Sequence, residues 1–513
     1  RCAATREDVA NSAARPSEPA SRAPHWSAHL GPGVEADLGL GATLPGAWTG
    51  RWAADPDAEV LATPAGRTVT AAELEQLTAA AAGRYAAAGL APGDRVIVSA
   101  GPSVELVVAY LAALRYGLTV VPANTAYTAS ELANLAADAR PSLAVLDDLE
   151  RSPDVPATTP DLARLPQPQA APLDRVEPAD PALIVYTSGT TGKPKGAVLS
   201  HANLLASAHA VRLAWRWTPE DRLALSLPLF HIHGLGVGLH GTLVAGGSLL
   251  LLPRFEPPAV ASAIEAGATM FFGVPTMYHR LAASPHLDAL RALRLAVSGS
   301  APLPAELHDT VRERTGQRIL ERYGMTETIM LVSNPYDGPR RPGTVGLPLP
   351  GVSLRLAPRE GGVTEIEVTG PNVFGGYLDR PQATAEAFTT DGWFRTGDLG
   401  VLDDDGYLRI SGRAKELIIT GGYNVYPREV EEVLRSHPAV GDAAVAGLPS
   451  PEWGETVVAY VVPADAVDTS ALEADLTQWC AERLAAYKRP RAWRWIETVP
   501  RNALGKILRH ELS

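Results

Sequence analysis

The sequence predicts an α/β fold in which helices cover mainly parallel β-sheets. Short apolar strands alternate with helical stretches of about 10–15 residues from residue 46 onward, an alternation typical of parallel sheets. After Gly343 short strands with tight turns dominate, which indicates a β-rich subdomain. The segment 412–513 mixes strands and helices again and is predicted to be a third, smaller α+β unit.

Helix starts are predicted where polar side chains can cap the first turn. Residues 70–73 and 128–131 each have a threonine followed by glutamate three positions later, the pattern of a capping box. Residues 103–116 are apolar at helical spacing, and Gly117 ends that run. In the C-terminal unit, helices are predicted over 427–434, which has proline at its first position, and over 471–484.

The predicted strands are short apolar runs between these helices. In the first part of the chain they are 95–99, 119–122, 142–146, 182–186, 223–226, 248–252, 269–272 and 293–297. In the β-rich and C-terminal units they are 365–369, 406–410, 417–420, 444–446 and 457–461.

Composition limits the classes of function. The chain has 513 residues, which is too long for one hydrophobic core, and its net charge of −12 argues against a nucleic-acid partner. Its only cysteines are Cys2 and Cys480, so a disulfide framework is not expected, and a reducing, cytoplasmic location is predicted. Apolar runs are too short to predict a membrane span. Residues 1–45 lack periodicity and are predicted to be a flexible tail, with a transit-like leader or an expression remnant as alternatives.

A glycine-rich loop between residues 186 and 196 is the strongest functional signal. It follows the apolar run 182–186 and contains three glycines, four Ser/Thr hydroxyls and two lysines. Glycines let backbone N–H groups approach phosphate oxygens, while hydroxyls and lysines add donors and charge. The sequence does not fit the Walker A pattern. The loop is therefore predicted to hold a polyphosphate through Thr187, Ser188, Gly189, Thr190, Thr191, Gly192, Lys193 and Lys195.

Further along the chain, one short turn combines an aromatic ring, a hydroxyl and a carboxylate. A purine can stack on Tyr323, Thr326 can bond a phosphate oxygen, and Glu327 can hold Mg²⁺, which prefers one or two carboxylates plus phosphate oxygens. Small residues at 298–302 allow a flat ring to approach the backbone.

Together with segments 396–398, 411–415, 420–424 and 500–506, these motifs resemble the acyl-adenylate-forming enzymes, the superfamily of acyl-CoA synthetases and luciferases. The resemblance covers residues 45–513, with the motifs in family order. It implies a large adenylation domain of two helix-covered sheets and a β-rich subdomain over residues 46–411. It also implies a mobile C-terminal domain over 412–513, with ATP, Mg²⁺ and coenzyme A as cofactor and co-substrates.

The resemblance also implies roles for individual residues. Adenylation would be catalysed by Lys506, Thr190, Glu327 and His231, with Glu327 as the metal ligand. Besides the loop, the nucleotide would contact Ser300, Ala301, Pro302, Glu321, Arg322, Tyr323, Gly324, Met325, Thr326, Asp398 and Arg413. Lys415 would be the hinge, and Gly421, Gly422 and Tyr423 would meet coenzyme A after the C-terminal domain rotates.

The acid is predicted to be small, with malonate first. Several segments resemble malonyl-CoA synthetases, among them 228–234 and 322–328. From the residues, Arg294 lies in a strand that should be buried and therefore needs an anionic partner. That partner is predicted to be the distal carboxylate of the acid, with an internal acid such as Glu321 as the alternative. His231, Ser298, Met325 and Met330 would complete the acid pocket.

Three rival functions stay open at the level of sequence. The enzyme could activate a medium-chain, methylmalonic or aromatic acid. It could pass the adenylate to an acceptor other than coenzyme A, such as a carrier-protein thiol. It could also be a nucleotide-binding protein without catalysis, although Lys506, Glu327 and Asp398 speak against that reading.

Overall fold

A computed structural model of the chain describes residues 24–187, 194–359, 362–420, 423–450, 453–464, 469–503 and 505–512. Within them the chain has the predicted α/β class, with sheets of nine, seven, four and five strands. No helix in this part of the chain is both long and apolar enough to traverse a bilayer.

The helices and strands follow in chain order. The helices are α1 (Leu44–Ala54), α2 (Ala71–Ala87), α3 (Val104–Tyr116), α4 (Ala129–Ala139), α5 (His201–Ala214), α6 (His240–Ala245), α7 (Pro257–Glu265), α8 (Pro275–Ala282), α9 (Ala305–Thr315), α10 (Pro381–Ala387), α11 (Pro427–Arg435) and α12 (Thr469–Arg483). Strands β1 to β13 are Glu59–Ala62, Thr68–Thr70, Arg95–Ser99, Thr119–Pro122, Leu143–Leu146, Ala157–Thr158, Pro181–Thr187, Lys195–Ser200, Arg222–Leu225, Ser248–Leu251, Met270–Gly273, Leu295–Ser298 and Leu320–Tyr323. Strands β14 to β25 are Val332–Ser333, Leu347–Pro348, Ser353–Pro358, Thr364–Thr369, Gly376–Tyr377, Phe394–Leu402, Leu408–Arg413, Ile418–Thr420, Tyr423–Val425, Val440–Ser450, Gly454–Pro463 and Ala492–Trp495.

Local chemistry explains where several helices begin and end. The Thr128 hydroxyl accepts the Glu131 N–H and the Glu131 carboxylate accepts the Thr128 N–H, so the predicted capping box of α4 is present. Thr70 caps α2 through the N–H of Glu73. Gly117 closes α3 with a φ of 90°, a conformation that glycine adopts without strain.

The two large sheets are parallel in their centres. The nine-stranded sheet has the order β15-β14-β13-β12-β11-β9-β10-β1-β2, and the seven-stranded sheet has the order β18-β8-β7-β4-β3-β5-β6. Antiparallel strands lie at the edges of the first sheet and at the β18-β8-β7 end of the second. One continuous hydrophobic core joins both sheets to α1, α2, α3, α5 and α6.

The two smaller sheets follow the two large sheets along the chain. The β-rich subdomain is the antiparallel sheet β16-β17-β19-β20, and the C-terminal sheet is β22-β21-β24-β23 with β25 beside β24. The C-terminal sheet has its own cores, one of which contains Cys480. The 3₁₀ turn Ala414–Glu416 connects these two sheets.

The predicted flexible tail is wrong for residues 24–45. Trp26 and Leu30 are buried, and the Trp26 indole donates to the Val352 carbonyl at 3.1 Å. The Leu38 side chain is also in the main core. Because periodicity cannot detect isolated anchoring residues, the sequence did not indicate this packing; residues 1–23 lie outside the described chain.

Candidate active site

A cavity of about 1150 Å³ lies between the large domain and the C-terminal domain. The end of β7, the start of β8 and the loop after β13 contribute to its lining, as does the turn that carries Lys506. The predicted residues that line it are Thr187, Lys195, His231, Ser300, Arg322, Gly324, Met325, Thr326, Glu327, Met330, Arg413, Lys415 and Lys506.

The described part of the phosphate loop consists of its two ends. Thr187 and Lys195 are register partners across β7 and β8, so the ends are fixed side by side in the cavity wall. A Cβ at Gly196 would lie 2.7 Å from the Ile184 Cγ2, which explains the glycine there. The predictions for Ser188, Gly189, Thr190, Thr191, Gly192 and Lys193 lie outside the described residues.

Glu327 is a buried carboxylate at the edge of the cavity. Its side chain accepts a hydrogen bond from the Tyr377 hydroxyl at 3.0 Å, and burial raises its pKa. The Lys195 ammonium lies 5.3 Å from the centre of the Tyr377 ring. Among the described residues there is no cluster of three or more His, Cys, Asp or Glu suited to a metal. A Mg²⁺ ion here would therefore use Glu327 and phosphate oxygens, the ligand set that Mg²⁺ favours.

Asp398 contacts both Tyr323 and Arg413. It accepts a hydrogen bond from the Tyr323 hydroxyl at 2.6 Å, and the Arg413 Nε lies 3.1 Å from its other oxygen. Asp398 and Arg413 are register partners on β19 and β20. The negative charge of Asp398 raises the pKa of Arg413 and is the largest influence on it. This pair holds one acceptor and one cation in fixed positions; Arg413 lines the cavity, whereas Asp398 and Tyr323 do not.

Lys506 enters the cavity from a tight turn of the C-terminal domain. Asn502 receives the Lys506 N–H on its side-chain oxygen at 3.0 Å, and its own N–H donates to the Lys506 carbonyl at 2.9 Å. Gly505, with a φ of 78°, packs this turn so closely on the large domain that a Cβ would lie 3.0 Å from the Thr276 Cγ2. Burial and then the nearby Arg413 lower the pKa of Lys506.

The cavity lining also includes a buried arginine without a counter-ion among the described residues. Arg322 is 5% exposed, and its Nε and Nη2 have no hydrogen-bond partner there. Burial lowers its pKa to about 9. A Cβ at Gly299 would overlap the guanidinium, so glycine at that position makes room for it. An unpaired buried guanidinium is costly, which indicates an anionic ligand.

Two histidines lie beside Arg322. The His231 Nδ1 accepts the His233 N–H at 3.1 Å, and burial with the positive charge of Arg322 lowers the pKa of His231 to about 3. His233 begins a π-helix, His233–Leu239, that leads into α6. Both rings line the cavity. A neutral imidazole in each place can donate or accept a hydrogen bond without adding charge.

The structure does not bring Arg294 to the acid pocket. Its Nε and Nη2 donate to the two carboxylate oxygens of Asp221, both at 2.5 Å, and Nη1 donates to the Trp215 carbonyl at 3.0 Å. The residue precedes β12, away from the cavity-lining groups. The reasoning that a buried arginine needs an anion was sound, but Asp221 is that anion, so the predicted pocket role of Arg294 is wrong.

Other predicted residues lie next to the cavity without lining it. Ser298 is fully buried at the end of β12 and is not among the residues that line the cavity. Glu321 accepts the Leu303 N–H at 3.0 Å, and burial raises its pKa to about 7. Ala301 and Pro302 belong to the loop between Ser300 and Leu303.

The predicted coenzyme A loop lies on the C-terminal domain. Tyr423 is 59% exposed and stacks on Tyr487, with ring centres 4.7 Å apart. It does not line the cavity. Gly421 and Gly422 lie outside the described residues.

Sequence reasoning missed His233 and Tyr377 as cavity residues and assigned Arg322 to the nucleotide. The second histidine of the 228–234 segment was a usable signal for His233. Tyr377 reaches Glu327 because β18 pairs with β8, a long-range contact that no local pattern shows.

Family comparison agrees with the motifs. Residues 49–378 match the model described as AMP-binding enzyme, and residues 429–506 match the AMP-binding enzyme C-terminal domain. A sulfoacetate–CoA ligase of Cupriavidus necator is 40% identical over 486 residues, with 89% of this chain and 94% of that protein covered. A feruloyl-CoA synthase of Amycolatopsis sp is 38% identical, with 87% and 94% covered.

Solved structures agree as well. The ATP-bound crystal structure of MatB from Rhodopseudomonas palustris superposes with a TM-score of 0.85 at 40% identity, covering 92% of this chain and 98% of that one. A malonyl-CoA ligase ternary product complex with methylmalonyl-CoA and AMP gives a TM-score of 0.64 at 47% identity, covering 87% and 97%. The chain therefore belongs to the AMP-binding enzymes, the acyl-adenylate-forming superfamily whose motifs it carries, and its relatives group it with the acyl-CoA ligases.

Proposed function

We propose that this acyl-CoA ligase activates a short carboxylic acid that carries a second anionic group, with malonate as the first candidate. One observation carries the proposal: the buried Arg322 guanidinium lines the cavity and has no counter-ion among the described residues. A guanidinium in this position can pair with a carboxylate or sulfonate of the acid. An apolar acid would leave the buried positive charge without a partner, which is unfavourable.

The relatives support this acid class without selecting one member. Sulfoacetate and malonate each combine a carboxylate with a second anion, and relatives bearing both names match this chain. The feruloyl-CoA synthase shows that the family framework also accepts an aromatic acid. Arg322 favours the dianionic acids because ferulate has no second anion to neutralise a buried guanidinium.

In the proposed first half-reaction, the acid carboxylate attacks the α-phosphorus of ATP and pyrophosphate leaves. Thr187 and Lys195 hold the phosphates, Asp398 and Arg413 orient the ribose, and Lys506 stabilises charge that builds on the α-phosphate. Bound at Glu327, Mg²⁺ would neutralise phosphate charge. Arg322 and His231 orient the acid so that its reacting carboxylate faces the phosphate.

In the proposed second half-reaction, the C-terminal domain rotates about Lys415. Lys506 leaves the cavity and the Tyr423 loop arrives, so that the coenzyme A thiolate attacks the acyl carbonyl and AMP leaves. This chain is less identical to the ATP-bound MatB than to the product complex, yet it superposes on the ATP-bound structure with the higher TM-score. That difference supports an adenylation arrangement of the two domains in this structure.

The test is acid-dependent ATP–pyrophosphate exchange with malonate, methylmalonate, sulfoacetate, propionate, octanoate and benzoate, each followed by thioester formation with and without coenzyme A. Malonate or sulfoacetate should exceed propionate in kcat/KM. Replacing Arg322 by methionine should remove about 2–5 kcal/mol of transition-state binding for the dianionic acids.

A second variant, Gly299→Ala, tests the position of the charge without removing it. The added methyl overlaps the guanidinium and should displace it, which lowers kcat/KM for malonate more than for propionate. A preference for octanoate or benzoate that Arg322→Met leaves unchanged would refute the proposed acid class. Exchange without coenzyme A-dependent product would point to another acceptor.

A further inference from the structure

His233 has one ring nitrogen bonded and one free. Its Nδ1 lies 3.2 Å from the Ser300 Oγ, while its Nε2 has no hydrogen-bond partner among the described residues. The side chain is 1% exposed yet lines the cavity next to Arg322. Burying a polar nitrogen without a partner costs free energy, so the free Nε2 indicates a ligand atom in the cavity.

The backbone around this pair is held in unusual conformations. His233 starts a π-helix, a form that occurs frequently at functional sites. Ser300 has a φ of 69°, a left-handed conformation that a non-glycine residue adopts at a cost. The Ser300 hydroxyl is thereby kept near the His233 Nδ1. When that hydroxyl donates to Nδ1, the ring proton resides on Nε2.

We propose that His233 is a specificity-determining residue whose Nε2–H donates a hydrogen bond to the second anionic group of the acid, beside the guanidinium of Arg322. This assignment rests on the proposed function above and adds a second donor to the anion site. The site then has one cation and one neutral donor, arranged around the same space.

The charge of the site limits the ligand further. Burial, together with Arg322 and His231, holds the pKa of His233 well below its usual value, so the ring is neutral. The site therefore contributes one positive charge, from Arg322. A carboxylate or sulfonate matches that charge, whereas a phosphonate that carries two negative charges does not.

The experiment compares malonate with propionate, which lacks the second anion, by the kcat/KM of ATP–pyrophosphate exchange. In His233→Phe the malonate-to-propionate ratio should fall about 10- to 100-fold, the loss expected for a hydrogen bond to a charged group. His233→Gln, which keeps an amide donor, should recover part of the ratio.

The matched control is His240→Gln, a buried histidine of α6 whose Nε2 pairs with the Tyr110 hydroxyl at 2.7 Å outside the cavity. It should lower the melting temperature and leave the ratio unchanged. A wild-type ratio in His233→Phe would overturn the assignment. If His233→Phe fails to fold, His233→Leu, which also lacks a donor, decides. A wild-type protein that ignores both malonate and sulfoacetate would instead defeat the proposed function.

Discussion

Asp221 is the residue that explains Arg294. Its carboxylate is 4% exposed and binds the Arg294 guanidinium through two oxygens. Burial alone would raise the pKa of Asp221, but hydrogen bonds from Arg294 and its neighbours lower it overall. The pair therefore stabilises the fold at neutral pH, and that stability is lost as the pH falls through the depressed pKa of Asp221.

Arg294→Met should accordingly destabilise the protein by about 2–4 kcal/mol at pH 7, because it leaves a buried carboxylate unpaired. Urea unfolding measures the loss, and the difference from the wild type should shrink at acid pH. Arg254→Met, which removes an exposed pair with Glu256, is the control and should cost about 0–1 kcal/mol. An unchanged stability combined with a lower malonate-to-propionate ratio would restore the original pocket role.

Lys506 should give adenylation an alkaline limit. Burial and Arg413 lower its pKa, while Asp398 and Glu416 act in the opposite direction and Arg509 lowers it further. The charged form is the active one, so kcat/KM for exchange should decline as the pH rises through this pKa, at a lower pH than for an ordinary lysine. Thioester formation from preformed malonyl-AMP should lack this decline.

The control for that profile is Lys506→Arg, which stays charged at high pH. In that variant the decline due to Lys506 should be absent, and a remaining decline should fall near pH 9, where Arg322 loses its charge. A decline identical to that of the wild type would assign the titration to another group.

At the scale of elements, local rules located most of the framework. The predicted strands 95–99 and 119–122 coincide with β3 and β4, and the capping residues Thr70 and Thr128 start α2 and α4. These segments are decided by burial and by contacts within one turn, which a single sequence contains.

The π-helix could not be predicted from the sequence by these local rules. Its sequence alternates glycine with apolar residues, and the glycines make room for side chains of the preceding turn and of a neighbouring strand. A Cβ at Gly236 would lie 2.7 Å from the Ile232 Cδ1, and one at Gly238 would lie 2.8 Å from the Leu225 Cδ1. Such close packing overrides propensity. For the same reason the left-handed Ile329, with a φ of 59°, had no sequence signal.

At the scale of the whole molecule, the motifs predicted which segments meet but not every residue that meets the acid. Lys506 and Glu327 both line one cavity although 179 positions separate them, as family order implied. Arg294 is paired inside the protein while Arg322 stays unpaired at the cavity, and this difference depends on the positions of Asp221 and Gly299, which only the tertiary structure supplies.

One side-chain contact from α11 to β20 should favour the adenylation arrangement. Arg428 donates to the Ile410 carbonyl at 2.9 Å, while its Nε donates to Glu432 at 2.8 Å. Arg428→Met should raise the activation free energy of exchange by about 0.5–1.5 kcal/mol. It should slow thioester formation from malonyl-AMP less. Stopped-flow measurement of each half-reaction checks this.

Arg489→Met is the matched control because Arg489 bonds the Leu484 and Ala481 carbonyls within the C-terminal domain. It should weaken that domain without shifting the balance between half-reactions. Equal losses in both half-reactions for Arg428→Met would mean that this contact only stabilises the fold.

The cysteine in the C-terminal core has a practical consequence. Cys480 is 1% exposed, and burial raises its pKa to about 11, so its thiol resists alkylation. Once Cys2 is replaced, maleimide dyes attached to new surface cysteines on either side of Lys415 would act as a distance ruler. Energy transfer between them would test for the proposed domain rotation in single turnovers, without background from the native thiol.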